Sequence, residues 1–213
     1  MSLKIPFALL LTLFTYPDVE ERSWELKTNK EGIRIYLRPS ADSPIKEIKV
    51  ECALEATLSQ VVTVLLDVNT TGQWVYATKS ATLLKKVSPS ELYYHSEIEI
   101  PWPASNRDFV AHMKVRQDPH TKVVTIDGPN VPDYVPQKEG VVRIQLGSGK
   151  WILTPVGNKV HIEYYLMADP GGSIPAWLVN LFATKGPMES FQGLKKHIKK
   201  PAYSKARLSF IVD

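Results

Sequence analysis

The chain is poor in cysteine, in charge of one sign and in long apolar runs, and each shortage excludes a class of protein. Cys52 is the only cysteine in 213 residues, so neither an internal disulfide framework nor a cysteine-based zinc site can form. It lies in the alternating stretch Lys49 to Leu54, where a small buried side chain is the expected role. The net charge is only +4, and aromatic residues are not interleaved with arginine-rich runs, which argues against a nucleic-acid binder. The apolar run Ile5 to Phe14 is too short to span a bilayer. Repeats and low-complexity segments are absent. So are a Ser/His/Asp ordering, a His-x-x-x-His pair and a phosphate loop. Gly147-Ser148-Gly149 lacks a Lys-Ser/Thr partner and reads as a strand bulge or turn.

What is present fits one globular domain over residues 18–213, preceded by an apolar segment at 1–17. Lys4 followed by about ten apolar residues has the beginnings of a secretory signal, although Thr15-Tyr16-Pro17 lacks a small-x-small cleavage pattern. A buried N-terminal helix is the other reading. The first makes the protein exported, the second cytoplasmic.

From Trp24 onward the pattern is that of an antiparallel sheet. Trp24 to Leu26 and Ile33 to Arg38 flank the turn signal Asn29-Lys30-Glu31-Gly32, and Ile45 to Leu54 alternates next. Val61, Val62, Leu65 and Leu66 recur at helical spacing behind Thr57 or Ser59 as N-cap, and Asn69 to Gly72 ends that helix. Three further strands have one wet and one dry face. In Leu92 to Ile100 the dry face holds Tyr94, Ser96, Ile98 and Ile100, with Tyr93, His95, Glu97 and Glu99 opposite. In Phe109 to Gln117 it holds Phe109, Ala111, Met113 and Val115, and in Val160 to Ala168 it holds Ile162, Tyr164 and Leu166. This is the alternation of an antiparallel sheet covering a core on one side.

Two proline-rich loops interrupt the strands, at 101–106 and from Gly128-Pro129 to Gly140. Both are long enough to suggest a functional role. After Asp169-Pro170-Gly171-Gly172-Ser173 comes a long amphipathic helix. Its apolar stripe includes Ile174, Trp177, Leu178, Leu181, Phe182, Met188 and Phe191, with a kink expected at Gly186-Pro187 and a basic end at 195–200. A curved sheet with one dry face needs a cover, and this helix is the only candidate. The fold class is therefore α+β, a sheet gripping a long C-terminal helix.

The segment Pro101-Trp102-Pro103-x-Ser105-x-Arg107-Asp108-Phe109-Val110 resembles the signature of START domains, the lipid-transfer family named after the steroidogenic acute regulatory protein. The likeness continues at Trp74, Val142-Arg143, Trp151-x-Leu153-x-Pro155 and Asp169-Pro170-Gly171-Gly172-x-Ile174-Pro175-x-Trp177-Leu178-x-Asn180, in register over roughly residues 24 to 198. The resemblance implies a helix-grip fold with an internal hydrophobic tunnel and a lid formed by the 101–106 loop and the C-terminal helix. Aligned on the Arg-Asp-Phe motif, the charged pair of steroid-binding members falls on Tyr94 and Met113, which are uncharged here. That weakens a sterol reading and favours a more apolar or differently anchored ligand.

The expected function is therefore binding, and transfer or sensing, of a lipid, without cofactor or metal. The cavity is expected to be lined by the dry-face residues Tyr94, Ser96, Ile98, Ala111, Met113, Val115, Ile162, Tyr164 and Leu166, by Arg143, and by Trp177, Leu181 and Met188 of the helix. Pro101, Trp102, Pro103, Arg107, Asp108, Gly171 and Gly172 form the expected gate. Trp102 is a lid or membrane-touching residue, or packs on the rim. Arg107 and Asp108 form an ionic latch that sets the loop or a polar contact to a lipid headgroup, or are a structural ion pair at a strand start. The lysines at 195–200 meet an anionic membrane surface transiently, or simply complement the helix dipole. His95, His112, His161 and Glu163 read as solvated sheet-face residues. A monomer is expected. The alternative is an enzyme of the aromatase/cyclase type in the wider helix-grip superfamily, which requires titratable groups on dry faces.

Overall fold

The computed structural model describes residues 23–40, 45–172 and 181–213. Ten strands form one curved sheet: β1 (Glu25–Lys30), β2 (Ile33–Arg38), β3 (Glu47–Leu54), β4 (Thr78–Ser88), β5 (Glu91–Ile98), β6 (Arg107–Gln117), β7 (Val124–Pro129), β8 (Val142–Arg143), β9 (Gly147–Val156) and β10 (Lys159–Ala168). The spatial order is β1-β2-β3-β10-β9-β7-β6-β5-β4, antiparallel throughout, with the two-residue β8 pairing parallel to β6. The sheet thus falls into a run from β4 to β9 and a run from β1 to β3, joined through β10 against β3.

Between β3 and β4 lies α1 (Leu58–Leu66), which starts where Thr57 and Gln60 form a reciprocal capping box. The far end of the chain reaches back to it: Asp213 Oδ1 accepts the Ser59 amide at 2.7 Å. A 3-10 turn, Val68–Gln73, follows in place of the loop expected at Asn69 to Gly72.

The helical segment after β10 is not one uniform helix. Its described part is a π-helical stretch, Leu181–Lys185, running directly into α2 (Gly186–His197). Gly186-Pro187 thus marks a change of helical phase, not a break, because proline is tolerated in a first turn where its missing N–H has no intrahelical partner. Ile174, Trp177 and Leu178 lie outside the described residues. Phe191 and Leu194 of α2 are buried in the same apolar core as Ile35, Val50, Ile126, Leu153 and Ile162.

Three sequence expectations need correction. β4 was not foreseen, because Leu83, Leu84 and Val87 are exposed on it beside Lys85 and Lys86 and no clean alternation survives. β7 takes in Gly128-Pro129, which had been read as loop. Gly147-Ser148-Gly149 is regular strand, paired with both β7 and β10.

Candidate functional site

Antiparallel register brings the dry-face residues of distant strands onto one concave surface. Tyr94 lies opposite Ala111 and Met113 opposite Leu92, while Val115 faces Ile126, which faces Trp151, which faces Tyr164. Ala111, Met113, Val115 and Ile162 are buried. Ile98, Tyr94, Tyr164 and Leu166 are partly buried, as is Met188 of α2. Trp151, which periodicity alone had not assigned, stacks on Tyr164 and Phe191 with ring centroids 4.2 and 5.5 Å away. The Trp151-x-Leu153-x-Pro155 spacing was the signal that could have found it. Leu181 falls in the π-helical stretch, and Trp177 lies outside the described residues. Ser96 is buried, and its hydroxyl donates to the Ser80 carbonyl of the neighbouring strand at 3.2 Å.

Tyr94 and Tyr164 differ from ordinary core tyrosines. Burial pushes the Tyr94 phenol up to about 12, and that of Tyr164 higher still, with Tyr94 adding to the effect. Both nevertheless keep accessible surface. Tyr164 gains its position from Gly149. A Cβ at that residue would lie 3.3 Å from the phenol oxygen, a tight contact that glycine spares the ring.

The opposite face of β5 and β6 is a different environment. Asp108 and Arg143 sit side by side in the parallel β6–β8 register. Arg143 Nε and Nη2 donate to the two oxygens of Asp108 at 2.8 and 3.0 Å, and His95 Nε2 approaches Asp108 Oδ2 at 2.8 Å. The remaining Arg143 donors meet the carbonyls of Pro132, Val135 and Pro136. Arg143 and Asp108 side chains are each 1% exposed. Arg143 is therefore not a cavity residue: it is used up on the outer face, under the 130–140 loop. Burial alone would raise the Asp108 carboxyl, but the hydrogen bonds from Arg143 and His95 outweigh it and hold the group below the usual carboxylate range.

Next to it, Glu97 accepts from Lys79, Asn106 and Lys138 at 2.8–2.9 Å, contacts that bring its carboxyl down to about 2. Tyr93 stacks between His112 and Tyr134. The supposedly wet face is thus roofed by the loop, and His95, Glu97 and His112 are not solvated sheet-face residues.

Arg107 and Asp108 do not pair, because consecutive strand residues point to opposite faces. Arg107 points to the rim of the concave side. It donates to the carbonyls of Ser105 at 2.6 Å, Pro170 at 3.3 Å and Gly171 at 3.2 Å. One guanidinium thereby ties the 101–106 loop to the turn that leads out of β10. Gly171 and Gly172 in that turn have φ near +66° and +67°, a conformation open to glycine and costly for other residues. Pro101 and Pro103 are exposed, the Trp102–Pro103 peptide bond is cis, and Trp102 projects into solvent, 90% exposed. The rim-packed reading of Trp102 is excluded. At the basic end of α2, Lys195 donates to the Glu31 carbonyl and Lys200 to Gln73, whereas Lys196 and Lys199 are exposed. Among the described residues no cluster of three or more His, Cys, Asp or Glu could hold a metal, and no helix is long and apolar enough to cross a membrane.

This architecture has known counterparts. The START domain family model matches residues 7–203. The chain belongs to the START domain family. A crystal structure of a STAR-related lipid transfer protein from Xanthomonas axonopodis superposes with a TM-score of 0.76 at 36% identity, over 83% of this chain and 99% of that one. An uncharacterized Pseudomonas aeruginosa protein, PA1579, is 29% identical over 83% of this chain and 87% of its own length. The mouse phosphatidylcholine transfer protein is 30% identical over 80% of this chain and 81% of its own. START membership, with a lipid transfer protein and a phosphatidylcholine transfer protein among these relatives, supports lipid binding or transfer in general, and the curved sheet with its C-terminal helix is the helix-grip fold of the Xanthomonas structure.

Proposed function

We propose that this START domain is a monomeric lipid carrier, without chemistry of its own, that holds its cargo between the concave face of the sheet and the C-terminal helical segment. The observation that carries the reading is the pair of deep yet accessible tyrosines, together with Trp151 and Leu166, on a wall otherwise built of aliphatic side chains. Each Å2 of lipid surface withdrawn from water there contributes about 25 cal/mol. The carboxylates and histidines of β5 and β6 lie on the outer face and are held there by hydrogen bonds and ion pairs, which favours the carrier over the cyclase-type alternative.

Cargo exchange needs a gate. The 101–106 loop, the Arg107 clamp and the Gly171-Gly172 turn form it, opening the mouth when the helical segment swings away. Trp102 on the loop touches the membrane during exchange, aided at anionic surfaces by Lys196 and Lys199. The test is transfer of a pyrene-labelled phospholipid between donor and acceptor vesicles, beginning with phosphatidylcholine because a relative is named for it. Transfer should rise in proportion to protein concentration. Arg107→Gln should speed it by loosening the clamp, and Trp102→Ala should slow it without weakening equilibrium binding. Equal rates for the wild type and both folded variants would contradict this gate. A protein that binds and transfers no lipid would contradict the carrier.

A further inference from the structure

The concave wall shows what kind of lipid fits, an inference that rests on the carrier reading above. Its polar groups are few. Ser96 gives its hydroxyl proton to Ser80, and the guanidinium of Arg107 is taken by three carbonyls at the rim. The hydroxyls of Tyr94 and Tyr164 are different: neither has a hydrogen-bond partner among the described residues, and both sit where water can still touch the ring. Register places both on the concave face, with β6, β7 and β9 between their strands. Tyr94 stands on β5, edge-on to Phe109 at 5.6 Å between centroids. Tyr164 reaches from β10 over a bare strip of floor made by Gly149 and Gly128, which are paired across β9 and β7. Beyond Gly128 lies Met113, 3.7 Å from where its Cβ would be.

Among the described strand residues of this wall no carboxylate or ammonium group accompanies them. The inward positions of β5, β7, β9 and β10 are apolar, glycine, serine or tyrosine along the wall, and β6 contributes only Arg107, at the rim. Residues 173–180 contain no ionisable side chain either. A charged headgroup drawn into this space would lose its hydration with nothing to replace it, a cost that disfavours it relative to an uncharged one. An uncharged lipid with an ester or carbonyl oxygen suits the wall, because a neutral phenol is a good donor and an unpaired buried hydroxyl gains most from an acceptor.

We infer that Tyr94 and Tyr164 together form the polar anchor of the cavity, a pair of hydroxyl donors that holds a carbonyl or ester oxygen of an uncharged lipid. Two probes carrying the same pyrene-labelled acyl chains, a diacylglycerol and a phosphatidylcholine, differ only in the headgroup and test it directly. Wild-type protein should bind the diacylglycerol at least about tenfold more tightly. Tyr94→Phe and Tyr164→Phe remove one hydroxyl each while keeping the ring. Each should weaken diacylglycerol binding about 2- to 10-fold, as expected for one lost hydrogen bond, with circular dichroism and melting temperature unchanged. Phosphatidylcholine bound as tightly as diacylglycerol, or full diacylglycerol affinity kept by either folded variant, would overturn the pair while leaving the carrier standing. Binding of neither probe would overturn the carrier and this inference with it.

Discussion

The two faces of β5 and β6 are built from the same strands and do opposite things. Inward lie Tyr94, Ile98, Ala111 and Met113, a wall whose one ionised group, Arg107, is held by carbonyls at the rim. Outward lie His95, Glu97 and Asp108: Arg143 and His95 hold Asp108, and Lys79, Lys138 and Asn106 hold Glu97. Charge fixes the loops that frame the site, and neutrality is kept for the site itself. A carrier benefits from this division, since a charge facing the cargo would have to be desolvated each time an apolar chain entered.

Breaking the outer side should have the largest effect. Arg143→Met leaves Asp108 buried with only His95 as partner, and unfolding free energy should fall by about 3–5 kcal/mol in chemical denaturation. Adding Asp108→Leu to that variant should recover part of the loss, because the uncompensated charge goes with it. A single variant as stable as wild type would show that the cluster is not what holds the 130–140 loop.

The inner side should respond in a different currency. Met113→Trp overfills the space beside Gly128, costing about 1–3 kcal/mol of stability but most of the binding to a fluorescent lipid. A folded variant with unchanged binding would remove Met113 from the wall.

Acid should separate the faces without mutation. Glu97 sits near 2 instead of its ordinary 4.5, so its contribution to stability is complete above about pH 4.5 and is lost as pH falls toward 2. Asp108 is depressed too, and adds in the same direction. Melting temperature should therefore drop between pH 4.5 and 2.5, and drop less in Glu97→Gln. An identical acid slope in that variant would contradict the assignment. The smallest effect is expected from the N-terminus, where deleting residues 1–17 should leave melting temperature and lipid binding as they were. A loss of several degrees would identify the segment as packed structure.

Much of this contrast was legible in the sequence, for a physical reason. Period-two alternation in β5, β6 and β10 reports directly which side chains meet the core, so Tyr94, Met113, Ile162 and Tyr164 could be assigned to one surface before any coordinates. Alternation says only that the second face is polar, not that it is wet. Glu97 and Arg143 need the 130–140 loop, which brings Lys138 to Glu97 from 41 residues away and folds the carbonyls of Pro132, Val135 and Pro136 over Arg143. His95 needs Asp108 from the neighbouring strand, and strand alternation reports none of these contacts. β4 escaped notice because an edge strand with bulges after Thr78, Leu83 and Lys86 has no steady period to detect. The place of Tyr164 over Gly149 needed the β9–β10 register, which no local pattern encodes.

The most direct test of the central claim is native mass spectrometry of the gently purified full chain. The account predicts a 1:1 adduct of lipid mass, released on denaturation and much reduced in Met113→Trp. A bare protein that stays bare after incubation with lipid vesicles would contradict it.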